Sequence, residues 1–317
     1  MAEADGPGPG ARRPGAPGPE ASADRAAGPL AEGRPAESGD VESGPPAAAA
    51  HRNRVPAPGA PRPAVRRRAA VALVLAAAFG LVAMSWPLLA APGGALTETT
   101  SGPWLFALLL PLVTATVVVQ LSDGGLDARA VAMLGVLSAV VAAVRPFGAG
   151  AAGVETVFFL IILAGRVFGA GFGFLLGCTG LFASALLTGG VGPWMPYQMF
   201  AAAFVGLGAG LLPRTPDTRA GRGGETGLLA AYGVVASLAY GLLMNLSFWP
   251  FAITQGALAY VPSGGLGENL PRLFAYTIAT SLGWDVGRAV TTAVLLVLTG
   301  PLLLRVLRRA ARRANWS

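Results

Sequence analysis

Nine polar or aromatic side chains lie at the ends of apolar segments in this 317-residue chain, and their types suit the binding of a small molecule. Asn245 and Trp249 are four residues apart and Asp285 and Arg288 are three apart, so each pair shares a helical face. Guanidinium, carboxyl and amide groups supply hydrogen bonds, and aromatic rings supply flat apolar contacts. The predicted site residues are Arg145, Glu155, Trp194, Tyr197, Gln198, Asn245, Trp249, Asp285 and Arg288.

The stretch "GGVGPWMPYQMF" separates two strongly apolar runs and presents Trp194, Tyr197 and Gln198 at the break. Its glycines and prolines end one helix and begin another, because Pro196 suits a first helical turn. Polar side chains at membrane depth usually face a cavity or each other, so this break predicts the rim of a ligand site. An aromatic belt at a membrane surface is an alternative interpretation of the two aromatic residues.

The ionisable pairs also allow a purely structural interpretation. Asp285 and Arg288 would then form an ion pair with each other, and Arg145 and Glu155 would clamp a loop. Catalytic motifs are missing: the chain has no GxxxxGK[ST] nucleotide loop, no HExxH and no Cys/His cluster with metal-ligand spacing. The sequence therefore predicts a binding protein that is not an enzyme and holds no metal or cofactor.

Composition indicates that these residues sit in a membrane protein. The chain is 53% hydrophobic and 12% charged, whereas soluble proteins carry about 25% charged residues. All 23 basic residues are arginine, and the pI is about 10.6. Because the arginines lie mostly at the ends of apolar runs, they indicate membrane orientation and no nucleic-acid partner.

Eight apolar segments predict about eight transmembrane helices in an all-α integral membrane protein that contacts the lipid bilayer. The fourth segment is short for a full crossing and is either tilted or partly re-entrant. The segments span residues 69–91, 104–121, 128–145, 153–165, 167–188, 196–212, 228–249 and 284–304.

Arginine bias predicts the orientation. Alternate connections carry Arg129, Arg166 and the group in "PRTPDTRAGRGGE", and the basic segment 307–317 follows the last helix. The opposite connections carry only Arg145 and Arg272 at their edges. Basic residues concentrate on the cytoplasmic side, so both termini are predicted to be cytoplasmic in a multi-pass protein of the cell membrane.

The N-terminal part has a different composition. Residues 1–68 are rich in Pro, Gly, Ala and charges and poor in aromatic residues, which predicts a disordered cytoplasmic tail. Residues 69–121 add two N-terminal transmembrane helices. The first resembles a secretory signal, but the long tail before it favours a retained helix.

From about Ala128 onward the chain resembles the substrate-specific S component of an energy-coupling factor (ECF) transporter. The resemblance rests on the order of "ARAVAMLGVLSAVVAAVRPFG", "ETVFFLIILAGRVFGAGFGFLLGCTGLFASALLTGG", "GPWMPYQMFAAAFVGLGAGLLP", "YGLLMNLSFWPF" and "WDVGRAVTTAVLLVLTGPLLLRVLRR". It implies that residues 128–306 form a six-helix substrate-binding bundle. The tail and the first two helices lie outside the resemblance.

The resemblance implies capture of a vitamin or related micronutrient from outside, with cobalamin as a candidate. Import would be driven by a transmembrane T component and two cytoplasmic ATPases, which agrees with the missing nucleotide loop. Small residues spaced by four on the first core helix would contact the T component. These are Ala128 with Ala132 and Ala139 with Ala143, although packing within the bundle also explains them.

Two other classes of function remain open. One is a stand-alone secondary transporter or channel in which Glu155 and Asp285 couple substrate movement to ions. The other is a membrane scaffold whose tail is the working part.

Overall fold

The structure is a computed structural model, and it describes residues 63–89, 115, 128–148, 153–213, 219–262 and 264–313. These residues form helices and connecting loops, with no strand in the described ranges. Short 3-10 turns span Arg145–Phe147, Trp249–Phe251 and Gly256–Leu258. The helices are α1 Pro63–Met84, α2 Trp86–Leu89, α3 Ala128–Val144, α4 Phe158–Phe168, α5 Ala170–Thr188, α6 Met195–Leu211, α7 Arg219–Phe248, α8 Gly265–Thr280 and α9 Leu282–Arg313.

Four helical stretches are long and apolar enough to cross a membrane, so the chain is an all-helical, membrane-embedded protein in its described part. They are Ala128–Phe147, Ala170–Thr188, Gly223–Phe251 and Leu282–Arg313. Shorter apolar helices cover Arg68–Met84, Phe158–Phe168 and Met195–Leu211. The predicted second segment, 104–121, lies outside the described residues apart from residue 115, and so do residues 1–62 of the predicted tail.

Helix α4 is short and lies at the centre of the bundle. Its 11 residues rise about 16 Å, roughly half the thickness of a hydrocarbon core. Phe158, Ile161, Ile162 and Leu163 are at most 1% exposed, and α4 packs against α5, α6, α7 and α9. A helix that is apolar on every side belongs in a core, which accounts for the continuous apolar run in the sequence.

Helices α5 and α6 pack closely through glycines, including those of the run "GAGFGFLLG" at the start of α5. A Cβ atom on Gly173 would meet the backbone oxygen of Gly206, and one on Gly206 would meet that of Gly173. Gly177 faces the backbone of Ala202 and Ala203 in the same way. Only glycine allows this approach, which also brings the start of α6 against the end of α5.

Several boundaries differ from the sequence prediction: α7 begins at Arg219 where residue 228 was predicted, and α9 ends at Arg313 where residue 304 was predicted, so most of the basic segment 307–317 is helical. Helix α1 begins at Pro63, so residues 63–68 are helical although they were assigned to the tail; proline is well suited to a first helical turn. Helix α4 begins at Phe158, although the segment was predicted from residue 153. Gly153 has φ of 77°, and residues 153–157 form a loop before the helix.

Helix α8 was not predicted, because residues 250–283 contain no long apolar run. Its buried side carries Asn269 and Leu273. The exposed side presents apolar residues every four positions, at Leu266, Leu270, Phe274 and Ile278. This is the spacing of an amphipathic helix. Helix α8 lies between the end of α7 and the start of α9 and positions residues near the site described next.

Candidate functional site

A cavity of about 420 Å³ lies at one end of the bundle, where the end of α3, the starts of α6 and α9 and the last turns of α7 meet. Tyr240, Ser281 and Trp284 also line it, and the sequence analysis missed all three. Ser281 lies in the connection before the predicted eighth segment, Trp284 is the first residue of that segment, and Tyr240 lies inside an apolar run. Six of the nine predicted site residues line this cavity: Arg145, Glu155, Gln198, Asn245, Asp285 and Arg288.

Arg145 is held by neutral partners. It follows α3 in a 3-10 turn whose φ is set by Pro146. One terminal nitrogen donates to Gln198 Oε1 at 3.1 Å, and the other donates to Ser184 Oγ at 3.4 Å. The hydrogen bond to Gln198 joins the end of α3 to the start of α6, which is the break that the sequence analysis singled out.

Asp285 and Arg288 form an ion pair in one turn of α9, with 2.6 Å between Oδ1 and Nη1. Ser281 Oγ donates to the other carboxylate oxygen at 3.3 Å. The Arg288 guanidinium stacks 4.9 Å from the Tyr240 ring centroid, and the carboxylate lies against Gly241, where a Cβ would collide with it. The structural interpretation of this pair is therefore realised, and both side chains also line the cavity.

Glu155 is half-buried and lies in the loop before α4. Its Oε1 accepts a hydrogen bond from the Val157 backbone N–H at 3.1 Å. Among the described residues no ion pair joins Glu155 to Arg145, so the loop clamp between them is not formed. Burial raises the pKa of the Glu155 carboxyl above its ordinary value, while the Val157 N–H and the charges of Arg288 and Arg145 oppose this rise.

Asn245 connects α7 to the junction between α8 and α9. Its Nδ2 donates to Ser281 Oγ and, at 3.2 Å, to Thr277 Oγ1. Ser281 in turn bonds Asp285, so a chain of hydrogen bonds runs along one wall of the cavity. Such a network fixes the positions of its members.

The three predicted aromatic site residues lie elsewhere. Trp194 is 44% exposed, outside the cavity. Tyr197 is buried and packs 5.1 Å from Phe248. Trp249 is fully buried; its Nε1 donates to Leu258 O at 2.7 Å, and its ring packs on Tyr260, 5.2 Å away. The turn after α7 folds back over Trp249, which directs this ring away from the cavity.

The predicted partner face on α3 is open in the described part of the chain. Ala128, Ala132, Ala139 and Ala143 are all exposed, and Gly135 has no neighbour within 4 Å of a built Cβ. The opposite side of α3 packs on α5, where Ser138 and Thr179 hydroxyls are 2.7 Å apart. Packing within the described bundle therefore does not account for the four alanines.

A buried charge cluster, which we call the basal cluster, joins three helices at the other end of the bundle. Glu225 of α7 accepts from Arg166 Nε of α4 at 2.8 Å and from Arg308 of α9. Arg166 also donates to Leu212 O at 3.0 Å. From the sequence, these arginines were interpreted only as orientation signals, and Glu225 was not predicted. The available signal was an acidic residue at the end of the arginine-rich stretch "PRTPDTRAGRGGE", immediately before the apolar run of α7.

The described residues contain no group of three or more His, Cys, Asp or Glu side chains arranged to hold a metal ion. Comparisons with protein-family models, with curated proteins and with solved structures find no match to this chain.

Proposed function

We propose that the chain is a membrane-embedded binding protein that captures a small molecule, acting as the S component of an ECF-type importer. The main observation behind the proposal is the cavity of about 420 Å³ at one end of the bundle, whose lining includes six of the predicted polar site residues. Binding pockets for small molecules have this size, with a few convergent polar groups. The resemblance of residues 128–306 supplies the transporter class.

The same proposal implies an orientation of the chain in the membrane and a set of protein partners. The cavity end faces outward, and the basal cluster with the arginine-rich end of α9 faces the cytoplasm, following the excess of arginine there. Eight crossings in the cell membrane then leave both termini cytoplasmic. The chain has no nucleotide loop, so transport relies on a T component and two cytoplasmic ATPases.

The cavity volume limits the size of the substrate that can be enclosed. About 420 Å³ suits a vitamin-sized molecule of ordinary size, since pockets of 300–1,000 Å³ take drug-sized ligands. A corrinoid is much larger and would remain mostly outside this cavity. We therefore propose a small vitamin-like substrate in place of cobalamin.

Asn245→Ala is expected to lower retention of a co-purifying small molecule about tenfold. A lost hydrogen bond in a partly dry site is worth about 1–3 kcal/mol, and 1.4 kcal/mol is a factor of ten. Trp194→Ala is the matched control and should retain the molecule, because Trp194 lies outside the cavity. Mass spectrometry of the purified variants measures the ratio of small molecule to protein. Loss of retention in Trp194→Ala alone would place the site at the exposed aromatic rim.

Ala139→Trp is expected to abolish uptake while leaving retention of the small molecule unchanged. Ala139 lies on the exposed side of α3, where small side chains allow a partner helix to approach closely. Val235→Trp is the control, because Val235 is 63% exposed on α7, away from that face. Uptake in cells and co-purification of the ATPases are the measurements. Equal behaviour of the two variants would contradict a partner surface on α3.

A stand-alone secondary transporter is the second candidate, and Glu155 favours it. This carboxyl is half-buried, has a raised pKa and forms no ion pair in the described part of the chain. These are properties of a proton-coupling group. Proton-dependent uptake by the protein alone in liposomes would support this candidate, whereas uptake only with the ATPase partners supports the importer.

A further inference from the structure

We infer that the cavity takes an amphoteric molecule, with an anionic group bound by Arg145 and a cationic group bound by Glu155. This inference rests on the proposed function, because it names the substrate class of the same site. It depends on how charge is distributed among the four ionisable side chains that line the cavity, Arg145, Glu155, Asp285 and Arg288.

Two of the four charged residues in the cavity, Asp285 and Arg288, already form an ion pair with each other. Asp285 and Arg288 are 2.6 Å apart, and the carboxylate also accepts from Ser281. The guanidinium also stacks on Tyr240. A ligand group would have to displace these contacts to bind either side chain, so this pair is a wall of the site.

The other two charged residues of the cavity, Arg145 and Glu155, form no ion pair with each other. Arg145 bonds only the neutral Gln198 and Ser184 among the described residues, and a guanidinium has five N–H donors. Glu155 Oε1 accepts from the Val157 backbone N–H, and no described cationic side chain forms an ion pair with this carboxyl. Two opposite charges thus line one cavity without contacting each other.

Charge balance favours a molecule that carries both signs. The four side chains sum to zero when all are ionised. A singly charged molecule would leave one charge uncompensated in a partly buried site, which is unfavourable. A molecule with both groups pairs its anionic group with Arg145 and its cationic group with Glu155, and it keeps the cavity neutral. Gln198 and Asn245 add neutral hydrogen-bonding groups to the lining of the cavity.

The protonation of Glu155 supports the same assignment. Burial raises the pKa of this carboxyl, and Arg288 and Arg145 oppose the rise from α9 and from the turn after α3; Asp285 and Tyr240 also line the cavity. A cationic group beside Glu155 lowers its pKa again. Binding therefore releases a proton between the ordinary and the raised pKa, because the free site is protonated there and the occupied site is not.

The probes are ω-amino acids of increasing chain length, each compared with the fatty acid and the alkylamine of equal length. Binding to the purified full chain in lipid nanodiscs is measured by calorimetry in two buffers of different ionisation enthalpy. We expect at least one ω-amino acid to bind at least tenfold more tightly than both of its analogues, with proton release. Arg145→Gln and Glu155→Gln should each remove this preference, and Glu155→Gln should also remove the proton release.

Glu268→Gln is the control, because Glu268 is an exposed residue of α8 that does not line the cavity, and it should keep the preference. Thermal unfolding of each variant checks its folding. Equal binding of a singly charged analogue, or a co-purifying molecule that lacks one of the two groups, overturns this inference but leaves the proposed function standing. If no probe binds and no molecule co-purifies, both are overturned.

Discussion

Glu225→Gln is expected to lower the free energy of unfolding by about 3 kcal/mol, because it removes the only acid of the basal cluster. Glu225 is 2% exposed and bonds Arg166 and Arg308. Removing one partner of a buried ion pair costs about 3–5 kcal/mol, since the remaining charge is left uncompensated. The lower end applies here because the Arg308 side chain is 36% exposed and water screens it.

Glu268→Gln is the matched control for this prediction. Glu268 pairs with Arg272 four residues later, but their side chains are 45% and 28% exposed. Exposed pairs of this kind contribute about 0.5 kcal/mol or less. Equilibrium unfolding in mixed detergent micelles, followed by circular dichroism, compares the two variants. Equal losses would mean that the basal cluster does not hold α4, α7 and α9 together.

The sequence predicted the helical class and the polar cavity residues for a common physical reason. Continuous apolar runs indicate burial in lipid or core, and an ionisable residue that interrupts the end of such a run must face something polar. Arg145, Glu155 and Asp285 were recognised by this argument, and they line one cavity. Which of these residues form ion pairs was not predictable from the sequence, because it depends on how each helix is rotated about its own axis.

The aromatic residues show where this argument fails. Trp249 and Asn245 share a helical spacing, but Trp249 lies in a 3-10 turn and its Nε1 bonds Leu258 O. The loop that supplies this oxygen is held by Asn269 of α8, whose side chain bonds both the N–H and the carbonyl of Val261. The position of Trp249 thus depends on α8, an amphipathic helix that contains Pro271 and that a search for long apolar runs does not find.

Gly206→Ala is expected to destabilise the protein by about 1–3 kcal/mol, and Gly135→Ala is expected to stabilise it. A Cβ on Gly206 would meet the backbone oxygen of Gly173, which cannot move without displacing α5 from α6. Overpacking of this kind costs about 1–3 kcal/mol. A Cβ on Gly135 meets nothing within 4 Å, so alanine there adds only its greater helix propensity, up to about 1 kcal/mol.

Both substitutions add one methyl group to a glycine inside a helix, so helix propensity favours alanine at both positions. Any difference in sign between them therefore reports the space around the added Cβ. The free energy of unfolding of each purified variant in mixed micelles is the measurement, without the transport partners, so that contacts on the open face of α3 do not contribute. Stabilisation by Gly206→Ala would mean that α5 and α6 are farther apart in the membrane than the mutual approach of Gly173 and Gly206 requires.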